Sequence, residues 1–255
     1  MTRTIRQQTR EERTLPGGRR IVLEFRAEGE SIPAILLLPD TEGPHPVALL
    51  LHGYMGRKEW MADSIGLALL EHGVASLAID LPLHGERGAP MDAMSVGNPL
   101  ELARRWRAAL DESSLALRYL TARRELDRAR LSLVGYSMGS FLGVAVAARD
   151  SLVRAAVLAA GGDLPSGTPF SGLVRTIADP LRAVRKLSGR PLLMVHGRWD
   201  RTILPEQAER LYAAAGEPKE LRWWDAGHVL PPAAIASAAE WLAQHLDAIR
   251  RQKSG

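Results

Sequence analysis

A single serine stands at the corner between an apolar, strand-like run and a segment of small residues typical of a helix. The stretch reads Gly135-Tyr136-Ser137-Met138-Gly139, a G-x-S-x-G pattern. Between a strand and a helix, this pattern forms a sharp turn that lifts the serine hydroxyl above a sheet. Larger side chains two residues before and after the serine would collide with neighbouring backbone, which accounts for both glycines. The pattern predicts that Ser137 is a nucleophile.

A serine hydroxyl reacts poorly without a general base, and His228 is the best candidate for that base. It follows the last strand-like run in the turn-rich stretch "DAGHVLPP", from which an imidazole can reach over the edge of a sheet. Three other histidines precede glycines beside strand ends, where a histidine usually holds loop structure: His52, His84 and His196. The sequence therefore predicts His228 as the base.

The base needs an acidic partner that fixes its tautomer and stabilises the imidazolium. Asp200 ends the run "PLLMVHGRWD", ahead of His228 in the chain. Asp225 is the alternative, but it lies three residues before His228 and would tend to cap the same loop. The order serine, aspartate, histidine accompanies this type of turn, so the sequence favours Asp200.

Acyl transfer also requires two N–H donors for the oxyanion. The backbone N–H of Met138 belongs to the turn itself. A second donor is predicted at Tyr54, because the "LHGYMG" loop follows an earlier strand and Gly53 permits a tight turn there. We also expect the rings of Tyr54 and Trp199 to line the substrate pocket.

These residues must be positioned by the rest of the chain, which alternates strand-like and helix-like segments almost throughout. Continuous apolar runs such as "PVALLL" and "VASLAI" are typical of parallel strands buried on both faces. The alternation predicts an α/β fold, a mostly parallel sheet with helices on both faces. Ligands of such sheets bind at the carboxyl ends of the strands, and Ser137, Asp200 and His228 each follow a separate strand.

The length of 255 residues fits one large domain. We expect a polar N-terminal arm over residues 1–19 and a single domain over residues 20–255. Residues 162–189 are longer than a simple crossover requires, so we interpret them as a small lid insertion. A lid this short predicts a shallow pocket that prefers short acyl esters. The lid would contribute apolar walls to that pocket: Phe170, Leu173 and Ile177.

The composition excludes several classes of function. The chain has no cysteine, so a disulfide framework, a thiolate metal site and a cysteine nucleophile are excluded. Its 33 basic and 29 acidic residues give a net charge of +4. They are intermixed as on a solvated, ion-paired surface, so we expect no nucleic-acid binding. We also expect no metal and no organic cofactor.

The sequence predicts no membrane partner, because no apolar run approaches the roughly 20 residues that span a bilayer. The N-terminal stretch "MTRTIRQQTREERTLPGGRR" has no apolar core of a secretory signal, which predicts a cytoplasmic location. The oligomeric state stays open.

Taken together, the motifs resemble those of the α/β-hydrolase superfamily, close to dienelactone-hydrolase-like and prolyl-oligopeptidase-like serine esterases. The residues that carry the resemblance are "LHGYMG", "DLPLHGERG", "GYSMGS", "HGRWDRTI" and "DAGHVL", and it covers about residues 20–250. It implies an eight-stranded sheet in which only the second strand is antiparallel. It also implies the triad and oxyanion donors named above.

The chain departs from both relatives. Dienelactone hydrolases proper use a cysteine nucleophile, and oligopeptidases of this superfamily carry a large propeller domain that the first 20 residues here could not supply. The expected function is therefore a small carboxylic-ester hydrolase that acts through an acyl-enzyme on short acyl esters. A thioesterase, a peptidase or an acyltransferase would use the same triad, and a catalytically idle binding protein is the alternative outside enzymes.

Overall fold

The computed structural model describes residues 6–27, 30–88, 99–164, 175 and 178–254. Within them, nine strands form one sheet. The strands are β1 (Arg6–Leu15), β2 (Gly18–Ala27), β3 (Glu30–Pro39), β4 (His45–Leu51), β5 (Ala75–Ile79), β6 (Leu126–Tyr136), β7 (Val153–Ala159), β8 (Leu192–Gly197) and β9 (Lys219–Trp224).

Helices connect most of these strands. They are α1 (Lys58–Met61), α2 (Leu67–Glu71), α3 (Pro99–Thr121), α4 (Met138–Arg149), α5 (Pro180–Arg185), α6 (Pro205–Ala214) and α7 (Pro232–Ser254). A π-helical turn, Ala62–Gly66, joins α1 to α2, and a 3₁₀ turn, Gly85–Arg87, follows β5.

The strands follow the order β1-β2-β3-β5-β4-β6-β7-β8-β9 across the sheet. All neighbours from β5 to β9 are parallel, whereas β3 is antiparallel to both β2 and β5. This is the α/β-hydrolase fold that the sequence predicted. The sheet differs from the expected one by an additional strand, β1, which also runs against the parallel set.

Strand β1 corrects the prediction of a polar arm over residues 1–19. Residues 6–15 pair with β2, and β2 itself already begins at Gly18. The side chains of β1 are exposed from Arg6 to Thr14, so backbone hydrogen bonding rather than apolar burial holds the strand in place. A strand with two polar faces shows no alternation of apolar and polar residues, which is why its sequence does not indicate a strand.

The sheet separates two apolar cores. Side chains alternate along β4, so Leu49 packs into one core and Leu50 into the other. Helices α3 to α6 cover the first core, and α2 and α7 cover the second. Helices on both faces leave the carboxyl edge of the sheet as the place where loops can form a site.

The predicted lid insertion, residues 162–189, is described only in part. Its described portion includes α5, whose N-cap Asp179 accepts hydrogen bonds from the N–H groups of Leu181 and Arg182. The three predicted wall residues lie outside the described residues: Phe170, Leu173 and Ile177. In the part of the chain that the structure describes, no helix is both long enough and apolar enough to cross a bilayer.

Candidate active site

Ser137 lies in the turn between β6 and α4, with φ at 52° and ψ at −115°. A positive φ is strained for a side chain larger than hydrogen, and such strain is typical of functional turns. The two flanking glycines permit the turn. A Cβ on Gly135 would lie 2.2 Å from the carbonyl oxygen of Gly139, and a Cβ on Gly139 would lie 2.1 Å from that of Leu51. The close approach predicted for both glycines is therefore present.

The three predicted side chains of the triad lie together at the carboxyl edge of the sheet. His228 Nε2 lies 2.9 Å from Ser137 Oγ, and His228 Nδ1 lies 2.8 Å from Asp200 Oδ2. Because a carboxylate accepts, Nδ1 donates to Asp200, and Nε2 is left as the acceptor for the serine hydroxyl. The hydrogen bonds form one continuous chain from Asp200 to Ser137.

Asp200 has a fully buried side chain whose two oxygens have different partners. Oδ1 accepts from the backbone N–H groups of Thr202 at 2.8 Å and Ile203 at 3.0 Å. These bonds hold the carboxylate so that Oδ2 faces His228. Asp225, the alternative partner, is 75% exposed and lies 3.4 Å from Arg198. The structure thus brings Asp200, rather than Asp225, to the histidine.

A tyrosine hydroxyl anchors the loop that carries His228. Tyr136 Oη donates to the carbonyl oxygen of His228 at 2.6 Å and accepts from the N–H of Leu230 at 3.0 Å. Its ring also meets the imidazole edge to face at 6.1 Å. Sequence reasoning missed this residue, whose only signal is its place directly before Ser137.

The peptide that carries the predicted donor Tyr54 N–H has a fixed orientation. The carbonyl oxygen of Gly53 accepts from His52 Nδ1 at 2.8 Å and from the N–H of Gly56 at 2.9 Å. In a trans peptide the N–H points away from the C=O, so these bonds also fix the direction of Tyr54 N–H. A Cβ on Gly53 would lie 3.2 Å from Ser137 Cβ, so this backbone passes beside the serine.

His52 is fully buried and holds a single neutral tautomer. Its Nδ1 donates to Gly53, while its Nε2 accepts from the N–H of Leu81 at 3.1 Å. Burial lowers the pKa of His52 to about 4, because the charged imidazolium would lose its hydration. The prediction that His52 holds loop structure fits these contacts.

The two aromatic residues predicted to line the pocket both lie at the carboxyl edge. Trp199 directly precedes Asp200 and is 63% exposed. The ring of Tyr54 meets the His84 ring edge to face at 5.7 Å. Contact of either ring with a substrate stays a prediction. In the described portion of the chain, no cluster of three histidine or acidic side chains could hold a metal ion.

The fold of this protein and the family to which its sequence belongs define its class as a serine hydrolase of the α/β-hydrolase superfamily. The sequence profile of the dienelactone hydrolase family matches residues 32–230, and the chain belongs to this family. The resemblance that the motifs indicated is thereby confirmed.

A relative is similar to this chain in sequence, and solved structures are similar to it in fold. Esterase YjfP from Escherichia coli (strain K12) is 26% identical over 262 residues, which cover 89% of this chain and 100% of that protein. The acetyl xylan esterase from Paenibacillus sp. R4 has a similar fold, with a TM-score of 0.78, 20% identity and coverage of 94% of this chain and 88% of that one. Acetyl xylan esterase 1 from Thermoanaerobacterium sp. has a TM-score of 0.75, 18% identity and coverage of 94% and 87%.

Proposed function

We propose that this protein is a carboxylic-ester hydrolase in which Ser137 is the nucleophile, His228 the general base and Asp200 its acidic partner. The observation that carries the proposal is the continuous hydrogen-bond chain, 2.8 Å from Asp200 to His228 and 2.9 Å from His228 to Ser137. The strained backbone of Ser137 supports the same role, since it aims the hydroxyl at the imidazole.

The reaction begins when Ser137 Oγ attacks the ester carbonyl carbon and His228 Nε2 takes the hydroxyl proton. Asp200 stabilises the imidazolium that forms. The imidazolium then gives its proton to the departing alkoxide, which leaves an acyl group on Ser137. A water molecule, deprotonated by His228, attacks the acyl carbon, and the acid departs as Ser137 regains its proton.

The tetrahedral intermediates carry a negative oxygen, which two backbone N–H groups would stabilise. Met138 N–H is the first of α4, where a helix leaves its N–H groups without intrahelical acceptors. Tyr54 N–H belongs to the peptide that His52 and Gly56 hold in place. Losing one such donor typically lowers kcat by about 10² to 10³.

We propose short acyl esters, roughly C2 to C6, as the preferred substrates. A buried methylene contributes about 0.8 kcal/mol to binding only while the chain stays within the walls of its pocket. The insertion over residues 162–189 is too short for a large closed cap. Two similar structures bear the name acetyl xylan esterase, which fits a small acyl group. Cytoplasmic location and independence of nucleic acid, membrane and cofactor stay predictions.

Steady-state kinetics with p-nitrophenyl esters from C2 to C16, acyl-CoAs and aminoacyl amides tests the proposal. We expect kcat/KM to be highest at C2 to C6 and lowest for the amides. Ser137→Ala should lose more than 99% of the activity. Ser132→Ala is the control, because this buried serine on β6 donates to the carbonyl of Val47 and should be replaceable.

Other results of this substrate comparison would indicate a different function. A maximum at C12 to C16 would favour an open groove and a lipase, and preference for acyl-CoAs or amides would favour a thioesterase or a peptidase. Acyl transfer to an alcohol in place of water would indicate an acyltransferase. Activity that survives Ser137→Ala would reject the nucleophile.

A further inference from the structure

A buried ion pair between Lys58 and Asp80 lies at the end of the segment that carries Tyr54. The side chain of Lys58 is 1% exposed and that of Asp80 is 0% exposed. Asp80 binds Lys58 twice: its Oδ1 accepts from the backbone N–H at 2.8 Å, and its Oδ2 accepts from Nζ at 2.9 Å. Such a fork fixes the backbone of Lys58 as well as its side chain.

Lys58 Nζ has further carboxylate neighbours, Glu86 at 2.6 Å and Glu59 at 2.8 Å. Burial disfavours the ammonium, but the hydrogen bonds to Glu59, Glu86 and Asp80 outweigh it and hold the pKa of Lys58 above its ordinary value. The charge of Lys58 is therefore more than balanced by its carboxylates. The Lys58 ammonium is therefore poorly suited to stabilise an oxyanion directly.

The position of the pair matters more than its charge. The segment from His52 to Lys58 leaves β4 and contains the Tyr54 peptide. At one end, His52 binds the N–H of Leu81, and at the other end Lys58 binds Asp80. One end is therefore hydrogen-bonded to Leu81 and the other to Asp80, two consecutive residues that follow β5.

The middle of the segment is a tight turn between those two ends. Met55 adopts a positive φ of 63°, and the N–H of Gly56 closes the turn on the carbonyl of Gly53. Arg57 alone separates this turn from Lys58. A shift of Lys58 would therefore be transmitted to the Gly53–Tyr54 peptide.

We propose that Lys58 and Asp80 are positioning residues for the oxyanion donor at Tyr54. They act by fixing the far end of the segment from His52 to Lys58 and touch no substrate themselves. The inference rests on the proposed function, because it takes Tyr54 N–H as an oxyanion donor. It adds a specific cause for the placement of that donor.

The test compares the double variant Lys58→Met/Asp80→Asn with the wild-type enzyme on p-nitrophenyl acetate. Removing both charges avoids leaving one of them buried and unpaired. We expect kcat to fall about 100-fold with KM within twofold, because the donor acts in the transition state. The inhibition constant of phenylboronic acid, which forms a tetrahedral adduct, should rise in parallel.

An ion pair at the opposite edge of the sheet, in which the arginine is buried and the aspartate partly exposed, provides the control. Arg130 lies near the amino end of β6, with a side chain that is 6% exposed and 2.7 Å from Asp127. Arg130→Met/Asp127→Asn should lower the melting temperature and leave kcat and the boronate constant within twofold of wild type.

Asp80→Asn alone keeps the inference testable if the double variant does not fold, because Lys58 retains two carboxylates. We expect a kcat about tenfold lower with unchanged KM. Unchanged kcat, or equal losses in the control pair, would overturn the positioning role while Ser137-dependent activity of the wild type still upheld the proposed function. Wild-type activity that does not depend on Ser137 would overturn both.

Discussion

His228 Nε2 lies 2.9 Å from Ser137 Oγ although 91 positions separate the two residues in the chain. Ser137 follows β6 and His228 follows β9, and the strands β7 and β8 lie between these two in the sheet. The loop after β9 therefore extends across the carboxyl edge of the sheet, supported by Asp200 after β8 and by Tyr136 beside Ser137. The contact therefore depends on two supporting residues, Asp200 and Tyr136, and each of them can be substituted separately.

The role of Asp200 as the acidic partner of His228 can be tested by comparing substitutions of Asp200 and Asp225. Asp200→Asn should lower kcat by about 10⁴, because the amide no longer fixes the imidazole tautomer. Asp225→Asn should change kcat less than threefold, since Asp225 is exposed and faces Arg198. Steady-state kinetics on p-nitrophenyl acetate measures both. A larger loss for Asp225→Asn would make that residue the partner of His228.

The tyrosine anchor gives a second prediction. Tyr136→Phe removes a hydroxyl that serves both the His228 carbonyl and the Leu230 N–H, and unsatisfied buried groups cost about 1 to 3 kcal/mol. We expect kcat to fall about tenfold. Tyr119→Phe is the control, because the Tyr119 hydroxyl binds Gln7 instead. Equal kcat values for the two variants would show that the anchor has no catalytic consequence.

Two glycines of similar setting should respond differently to alanine. A Cβ on Gly139 would lie 2.1 Å from the backbone oxygen of Leu51, whereas a Cβ on Gly143 would lie 2.5 Å from the movable Cδ2 of Leu133. Gly139→Ala should lower the free energy of unfolding by about 3 kcal/mol, and Gly143→Ala by less than about 1 kcal/mol. Urea denaturation measures both, and a reversed order would reject the close-approach argument.

The buried imidazole of His52 predicts a pH dependence of stability. Its pKa is about 4 in the folded protein and 6.5 in its unperturbed state. As the pH falls below 6.5, the unfolded chain binds a proton that the folded chain does not, so stability is lost until about pH 4. The loss attributable to His52 is about 3 kcal/mol.

Urea denaturation of wild type and His52→Gln between pH 7 and pH 4 measures this loss. The free energy of unfolding of the wild type should fall more steeply than that of the variant. Parallel pH profiles would contradict a neutral, buried His52.

That Ser137, Asp200 and His228 lie together could be predicted from the sequence, because parallel strands bring their carboxyl ends to one edge. Ser137 and Asp200 each follow a strand with a recognisable apolar run, and His228 follows the more polar strand β9. The strand β1 could not be predicted in this way, since its side chains are exposed on both faces and its apolar content is low. Its place in the sheet rests on backbone pairing with β2.

The supporting contacts depend on which loops become neighbours, and local sequence does not specify this. Tyr136 occupies a variable position of the G-x-S-x-G pattern, and its hydroxyl finds a partner only after the β9 loop folds across. Lys58 stands in "GRKEW", which looks like an exposed, charged helix start. Its burial follows from the pairing of β4 with β5, which brings Asp80 to it.

Covalent labelling tests the central claim most directly. A fluorophosphonate reacts with a serine only when a base activates it, so the wild-type protein should gain one phosphonyl group on Ser137. Mass spectrometry of the peptide that contains Ser137 would locate the group. Ser137→Ala should remain unlabelled, and His228→Ala should react at least 100-fold more slowly. Labelling of another residue, or equal labelling of Ser137→Ala, would contradict the account.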